Sequence, residues 1–378
     1  MGTSVDVSYP PVAVFREPGD RPVTPDLSVG VRLEAGRTAA ALARVPTHAG
    51  PVERTAALRA ATLAAGRLIS AFETEGGPVA GEAIPAESVS QSFFRVREVE
   101  LSDQQTALHG VLVVHRGVRD LCRAPLSGAD LVVELAGMRQ AVLELTGTTV
   151  PDPAGSDEVR AQEPVGEEFG VDPRGSLDSE WTARWIVGHQ VHVLFNICAA
   201  VAVTDAAVHL RHGELGQALV RLDDATTYVR GFPAAMIHAG TVPVEYYLAA
   251  VRPTMQPPQV ATPLSGRQHR GYKIFRGAMK GLLGVLPEPY EELAAKDRDL
   301  ADARDALLEA DLIDAERHVT LAYSMVRLRH SIAQAPIGPD NAVGELRLMR
   351  HRRAAQYAPL IRFGDHYIAE SLAAMRHR

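Results

Sequence analysis

Apolar residues recur every three or four positions along most of the chain, which is the spacing of amphipathic helices. Strand-like alternation is confined to a few short stretches. The pattern therefore predicts an all-α protein, a multi-helix bundle of roughly ten helices. The predicted helices cover residues 36–72, 102–123, 128–147, 178–212, 214–230, 243–251, 270–284, 288–310, 312–334 and 343–376.

Stretches without a helical period divide this pattern into regions. Residues 1–35 are rich in Pro, Gly and Val and predict an extended N-terminal arm, either partly disordered or lying along a neighbour. Residues 149–176 form an acidic, Pro/Gly-rich connector, and a loop of this length is usually a functional lid or a flexible segment. We therefore expect N-terminal helices over 36–148 and a helical core over 177–378, together forming one compact domain.

Composition and charge exclude several classes of protein. The net charge of −7 and the pI of about 6.1 argue against a nucleic-acid-binding protein, which usually carries a basic excess. The two cysteines, Cys122 and Cys198, are too few for a disulfide framework. The chain shows no signal-peptide pattern, and we expect no apolar run of the roughly 18 residues needed to span a bilayer. The sequence thus predicts a cytoplasmic protein with no membrane partner.

The helix predicted over 178–212 carries an unusual aromatic and histidine-rich face. Both tryptophans of the chain lie on it. An imidazole on an apolar face must be hydrogen-bonded or used in chemistry, so the face is either a buried core surface or a ligand site. Histidines three residues apart can share a metal, whereas a di-iron bundle would need Glu-x-x-His pairs, which this helix lacks. The residues at this spacing are Trp181, Trp185, Gly188, His189, His192, Phe195 and Ala199.

The helix predicted over 312–334 presents a second inward-facing histidine. His318 begins an apolar stripe that continues through Leu321 and Met325, whereas His330 lies about 120° around the helix. A neutral imidazole in an apolar pocket is what a haem iron requires as its proximal ligand. A hydrogen-bonded core histidine is the alternative interpretation.

These two helices resemble the tryptophan 2,3-dioxygenase superfamily of histidine-ligated haem-dependent aromatic oxygenases. That family has a helix of the form FIVxHQxxEL, and Trp185–Leu194 here reads WIVGHQVHVL. Its proximal histidine lies in a run of the form RHVTTVER, and Arg317–Val326 here reads RHVTLAYSMV. The resemblance covers roughly residues 180–350. It implies a bound haem, with His318 as the axial iron ligand and His189 as the distal residue.

The resemblance also implies an aromatic amino-acid substrate and O₂ or H₂O₂ as oxidant. An arginine would bind the substrate carboxylate in bidentate fashion, and the family supplies one near a Tyr-x-x-x-Arg spacing. Here Tyr246, Tyr247 and Arg252 are the candidates, although the spacing differs by a residue or two. Trp185 and Phe195 are expected to line the substrate ring. Contacts to the cofactor are assigned to Trp181, Arg317 and Met325.

Two departures from the dioxygenases shift the expected reaction. The Gly-Thr-Gly-Gly loop that closes over the substrate amine is replaced by Pro336–Gly344, and residues 252–266 look more like the tyrosine and 3-methyltyrosine hydroxylases of antibiotic pathways. One such hydroxylase attaches its haem through a cysteine four residues after a histidine, but Ala322 occupies that position after His318. We therefore expect non-covalent haem b.

The resulting hypothesis is a haem oxygenase that hydroxylates the ring of tyrosine or a tyrosine derivative in natural-product biosynthesis. His189 would donate a hydrogen bond to bound oxygen or peroxide, and His189 or His192 would accept the phenol proton. Dioxygenase-type oxidation of an indole on the same fold is one alternative. A helical haem-binding or small-molecule-binding protein without turnover is another. A homodimer or a larger homo-oligomer is compatible with this superfamily.

Overall fold

The computed structural model describes residues 10–15, 17–20, 26–74, 85–149, 177–260, 264, 270–326 and 342–364. This part of the chain is dominated by helices and confirms the predicted all-α class. The helices are α1 Val29–Ala43, α2 Pro51–Thr74, α3 Val89–Phe94, α4 Asp103–Leu121, α5 Gly128–Thr146, α6 Leu177–His212, α7 Leu215–Gly240, α8 Val244–Tyr246, α9 Arg252–Thr254, α10 Arg270–Val285, α11 Tyr290–Lys296, α12 Arg298–Val326 and α13 Ala342–Tyr357. A π-helical turn, Tyr247–Val251, joins α8 to α9, and Pro18–Asp20 forms a 3₁₀ turn.

Helix α6 forms the centre of the bundle. It packs most extensively against α7 and also against α10 and α4, while α7 packs against α12 and α5 on its other sides. Helices α1 and α2 pack on α5 and α4, and α11 and α13 pack on α12. The two histidine-bearing helices of the sequence analysis, α6 and α12, therefore lie on either side of α7.

The N-terminal arm is shorter than expected and is anchored within its own chain. Strand β1, Val12–Val14, pairs in parallel with β2, Val96–Glu98. The Ala13 amide donates a hydrogen bond of 3.0 Å to Nδ1 of His109. Burial, assisted by the charge of Arg116, lowers the pKa of His109 to about 4, so this imidazole is neutral and able to accept. Helix α1 already begins at Val29, not at 36, because the Ser28 side chain caps its first turn.

Several predicted helix boundaries were wrong. The region 36–72 is divided between α1 and α2, and α7 continues past 230 to Gly240 with Pro233 inside it. Helix α12 is continuous through the predicted break near 310 and begins instead after Asp297, whose carboxylate accepts from the Leu300 amide at 2.9 Å. Helix α13 ends at Tyr357 instead of near 376. Most of the connector over 149–176 and of the loop over 336–344 lies outside the described residues.

The expectation that no apolar run could span a membrane was also wrong. The stretch Glu180–His212 of α6 is long and apolar enough, with a mean hydropathy of 1.8 in its most apolar window. Of that window, 78% is buried inside the fold. The stretch is thus a core helix by its packing. Histidines and a glutamine interrupt its apolar residues, so it contains no uninterrupted apolar run although its mean hydropathy is high.

Candidate active site

His189 lies in the buried part of α6 between two aromatic rings. Its imidazole stacks on Phe94, with ring centroids 4.5 Å apart and planes 24° apart, and contacts Trp185 at 4.6 Å. Its Nδ1 lies 2.6 Å from the Trp185 carbonyl oxygen. Because a carbonyl can only accept, Nδ1 carries a proton, and in a neutral ring Nε2 would carry the lone pair. The side chain is therefore fixed in both ring plane and tautomer.

The aromatic cluster around His189 extends into the segment after α7. The Trp185 and Tyr247 rings are 4.9 Å apart, and Trp181 meets Tyr246 edge-on at 5.0 Å. The Tyr246 hydroxyl lies 2.7 Å from that of Thr182, so α6 and α8 are also joined by a hydrogen bond. The structure thus brings together the tryptophans and tyrosines that the sequence analysis selected.

A π-helical turn aligns Tyr247 with Arg252. Burial raises the pKa of Tyr247, and a side-chain hydrogen bond and the charge of Arg252 oppose this rise. In a π-helix the amide of residue i+5 bonds to the carbonyl of residue i, and here the Arg252 amide bonds to the Tyr247 carbonyl. Residues five positions apart therefore lie one above the other on the same face, as residues four positions apart do in an α-helix. Tyr247 and Arg252 are one residue further apart than in the Tyr-x-x-x-Arg spacing of the dioxygenase resemblance. The π-helical turn accommodates this additional residue.

One buried donor in this cluster has no acceptor. Nε1 of Trp185 is inaccessible to solvent and has no hydrogen-bond partner among the described residues. A buried donor left unpaired costs about 1–3 kcal/mol, and such groups in native proteins usually pair with something. The indole N–H is therefore an unpaired donor within the cluster around His189.

The remaining predicted residues of α6 lie in other surroundings. His192 is half-buried, and its ring meets that of Phe232 edge-on with centroids 5.5 Å apart. The side-chain amide nitrogen of Asn196 lies 3.2 Å from Nε2 of His192. Phe195 is completely buried, and its ring fills the space left by Gly137 and Gly231, where an added Cβ would come within 2.7 Å of it. The structure therefore places Phe195 in the core between α5 and α7, apart from the cluster around His189.

His318 is half-buried on α12, in the part of the bundle that faces α7 and α13. Burial, followed by the charge of Arg353, lowers its pKa, so the imidazole is held neutral. A neutral imidazole is the form that binds iron. Among the described residues, no group of three His, Cys, Asp or Glu side chains is arranged to hold a metal ion.

The C-terminal turn of α7 contacts both histidine-bearing helices. A Cβ added to Gly188, beside His189, would lie 2.6 Å from Ala239. A Cβ added to Gly240 would lie 2.7 Å from Leu321, one turn beyond His318. The two histidines therefore occupy turns of α6 and α12 that are linked through consecutive residues of α7.

The predicted cofactor contacts on α12 have partners within the protein. Arg317 forms an ion pair of 2.5 Å with Asp130 at the start of α5. Met325 is buried in the core, as its position on the apolar stripe predicted. His330 lies outside the described residues.

A buried ionic network supports α6 on the side of α7. His238 is completely buried between two carboxylates, with Nδ1 2.7 Å from Glu134 and Nε2 2.8 Å from Asp120. Arg184, adjacent to Trp185, donates to the same Asp120 at 2.9 Å. Although burial alone would lower the pKa of His238, the two carboxylates raise it to about 10. An imidazolium thus joins helices α4, α5, α6 and α7 immediately behind the site.

Comparison with known proteins assigns the family. A family model described as SfmD 3-methyl-L-tyrosine peroxygenase matches residues 14–307, well over half of the chain. The chain belongs to this family. The matched region contains His189, Tyr247 and Arg252 but ends before His318. The family model therefore does not bear on His318, whose expected role comes from the sequence resemblance over Arg317–Val326. The predicted relationship to the tyrosine and 3-methyltyrosine hydroxylase branch is confirmed.

Two relatives of the family illustrate the similarity. A 3-methyl-L-tyrosine peroxygenase of Streptomyces lavendulae is 28% identical over 142 residues, which are 37% of this chain and 38% of the relative. The match thus spans about two fifths of the relative's length. A crystal structure of SfmD, reduced by soaking with sodium hydrosulfite, aligns with a TM-score of 0.54 and 22% identity. The alignment covers 82% of this chain and 98% of that one, which establishes a common fold.

Phe94 is a residue of the site that the sequence did not predict. Phe94 is separated from His189 by 95 positions and meets it only through the tertiary fold. Its sequence context, the short α3 followed by β2, gave no periodic signal that would have marked it. Gln190, in contrast, was part of the quoted motif, but its contacts could not be read from the motif.

Proposed function

We propose that this protein is a haem-dependent peroxygenase that hydroxylates the aromatic ring of tyrosine or a tyrosine derivative in natural-product biosynthesis, in the cytoplasm. The observation that carries the proposal is the cluster in which His189, Trp185, Tyr247 and Arg252 meet in one place. Membership of the peroxygenase family supports the same activity. The name of the relative supports a methylated tyrosine as substrate and a peroxide as oxidant.

A histidine-bound haem is the proposed cofactor, and the neutral imidazole of His318 supports it. His318 would hold the iron through its neutral imidazole, and a bound haem would supply the activation of peroxide that ring oxygenation needs. The position of Ala322, four residues after His318, offers no thiol for a thioether bond. We therefore retain haem b, bound without a covalent link, as the proposed cofactor.

Arg252 and Trp185 supply complementary polar contacts for an amino-acid substrate. The guanidinium of Arg252 would bind the substrate carboxylate, and the π-helical turn holds it beside Tyr247. The unpaired Trp185 N–H would donate to an oxygen of the substrate, while the faces of Trp185 and Tyr247 contact its ring. An aromatic amino acid satisfies both the polar and the apolar parts of this cluster.

His189 acts as a proton acceptor in this arrangement. With Nδ1–H committed to the Trp185 carbonyl, Nε2 of the neutral ring can take a proton from the substrate phenol or from peroxide. The ring donates from Nε2 only after it has been protonated, so the hydrogen-bond donation expected from the sequence would follow proton uptake. His192 lies on the Phe232 side of α6 and remains a second candidate base.

Turnover of defined substrates tests the proposed reaction. Protein reconstituted with haem is supplied with peroxide and, separately, with tyrosine, 3-methyl-L-tyrosine or tryptophan, and products are identified by mass spectrometry. The proposal predicts a tyrosine-type product heavier by one oxygen atom. Ring-opened tryptophan with no tyrosine product would indicate the dioxygenase alternative, and a haem-loaded protein without any product would indicate a binding protein.

Trp185→Phe tests the donor role of the indole. The substitution keeps an aromatic face and removes the N–H, so we expect substrate affinity to fall by about 1–2 kcal/mol, the net value of one hydrogen bond. Titration of the haem absorption band with substrate measures this change. The matched substitution Trp181→Phe affects the edge contact with Tyr246 and should have a smaller effect. Equal losses for the two variants would contradict the assigned donor.

A further inference from the structure

Gln190 follows His189 and reaches across to the carbonyl end of α3. Its Nε2 donates to the Phe94 carbonyl at 3.0 Å and approaches the Arg95 carbonyl at 3.4 Å. Its Oε1 accepts from a guanidinium nitrogen of Arg116 on α4 at 3.3 Å. The guanidinium can only donate and the carbonyls can only accept, so the orientation of the amide is determined. Only 1% of Gln190 and 4% of Arg116 is exposed.

These contacts lie at the C-terminal end of helix α3, where the Arg95 carbonyl also accepts from the Val12 amide at 2.9 Å. Helix α3 has six residues and ends at Phe94, and its C-cap is Arg95, a non-glycine residue with φ of 52° in the left-handed region. The last carbonyls of a helix lack partners within it. Gln190 donates its stronger hydrogen bond to the Phe94 carbonyl and thereby restrains Phe94, whose ring is stacked directly on the imidazole of His189.

We propose that Gln190, braced by Arg116, is a positioning residue that directs Nε2 of His189 by holding Phe94 against its ring. The imidazole is then restrained on one face by Phe94, on the other by Trp185, and at Nδ1 by the Trp185 carbonyl. Loss of the Phe94 contact removes the restraint on that face, and the ring can tilt toward it. This role rests on the proposed function of His189 as the proton acceptor.

Gln190→Glu removes the donor while keeping the shape and the partner Arg116. A carboxylate cannot donate to the Phe94 carbonyl but still accepts from the guanidinium. We expect kcat to fall about tenfold to a hundredfold, as misplaced catalytic groups typically cause, with KM and the haem absorption band nearly unchanged. Gln105→Glu is the matched control, because Gln105 is half-buried on α4, makes no hydrogen bond to Phe94 or His189 among the described residues, and Glu preserves its capping-box acceptor to the Ser102 amide.

Proton NMR of isotope-labelled histidine rings gives a readout that needs no haem. In the haem-free wild type, the His189 ring protons should be shifted upfield by the stacked Phe94 ring, and Gln190→Glu should remove part of that shift. Phe94→Leu provides a second variant that leaves Gln190 intact. It should move the same signals and lower kcat, and the double variant should add little to either single change.

The outcomes separate this proposal from the proposed function. Unchanged His189 signals in Gln190→Glu, or additive effects of the two substitutions on kcat, would overturn the positioning role. Absence of haem binding or of hydroxylation in the wild type would contradict the proposed function, while the NMR comparison would still decide whether Gln190 holds the ring. If Gln190→Glu does not fold, signals that match the wild type in Phe94→Leu would be enough to refute the stacking.

Discussion

Substitution of Gly188 by alanine should separate the two central helices next to His189. A Cβ at this position would lie 2.6 Å from the Cβ and the amide nitrogen of Ala239 and 2.7 Å from its Cα. Normal carbon contacts are about 3.5–4.0 Å, so the deficit is roughly 1 Å. Two of the three contacted atoms belong to the backbone of α7, which can yield only if the whole helix shifts. The contact is therefore one of α6 against α7 and not of two adaptable side chains.

The size of the effect follows from two opposing terms. Overpacking costs roughly 1–3 kcal/mol, and a backbone contact belongs in the upper part of that range, about 2–3 kcal/mol. Alanine in place of glycine within a helix gains about 0.5–1 kcal/mol. We therefore expect Gly188→Ala to lower the free energy of unfolding by about 1–2.5 kcal/mol.

Urea unfolding followed by circular dichroism measures this change. The control is Gly277→Ala in α10, where an added Cβ meets no atom within 4 Å and only the helix-propensity gain applies. The control should be as stable as the wild type or more stable. If Gly188→Ala were stabilised to the same extent as the control, the close approach of α6 and α7 beside His189 would be refuted.

Two further predictions concern buried charges. The pKa of His238 is lowered by burial but raised overall to about 10 by Glu134 and Asp120, against 6.5 in the unfolded chain, so the folded state retains a proton that the unfolded state releases. The free energy of unfolding should accordingly fall as pH rises from about 6.5 to 10, and His238→Gln should flatten this slope in urea titrations at a series of pH values. Arg304 is completely buried and donates to three backbone carbonyls, so Arg304→Met should destabilise the fold by about 3 kcal/mol or more, measured in the same way. The exposed Arg298→Met should change stability little, and equal losses for the two arginines would contradict the assigned role.

The helical architecture could be predicted because each long helix carries its own periodic signal. Boundaries were missed where a single side chain decides them, as with the Ser28 cap of α1 and the Asp297 cap of α12. The apolar stripe through Met325 was predicted and found, because a helix face is a local property. Whether a helix ends depends on whether a capping side chain stabilises the end more than a further helical turn would. The spacing of apolar residues carries no information on this balance.

The sequence predicted several residues of the candidate site but not how they are arranged. His189, Trp185 and Tyr247 were selected from a helix face and a resemblance, and they do meet. The π-helical turn that aligns Arg252 could not be foreseen, because the spacing alone suggested a mismatch. Phe94 approaches from a separate helix, and the tautomer of His189 depends on a backbone carbonyl, so both required the three-dimensional structure.

The central proposal is that His318 would hold the haem iron, and an absorption spectrum tests it most directly. Purified protein supplied with haem is compared with His318→Ala and with His212→Ala, an exposed histidine on α6 that serves as control. We expect a Soret band in the wild type and in the control, from haem b that acidified organic solvent extracts, and loss of that band in His318→Ala. A wild-type spectrum that persists unchanged in His318→Ala would contradict the claim.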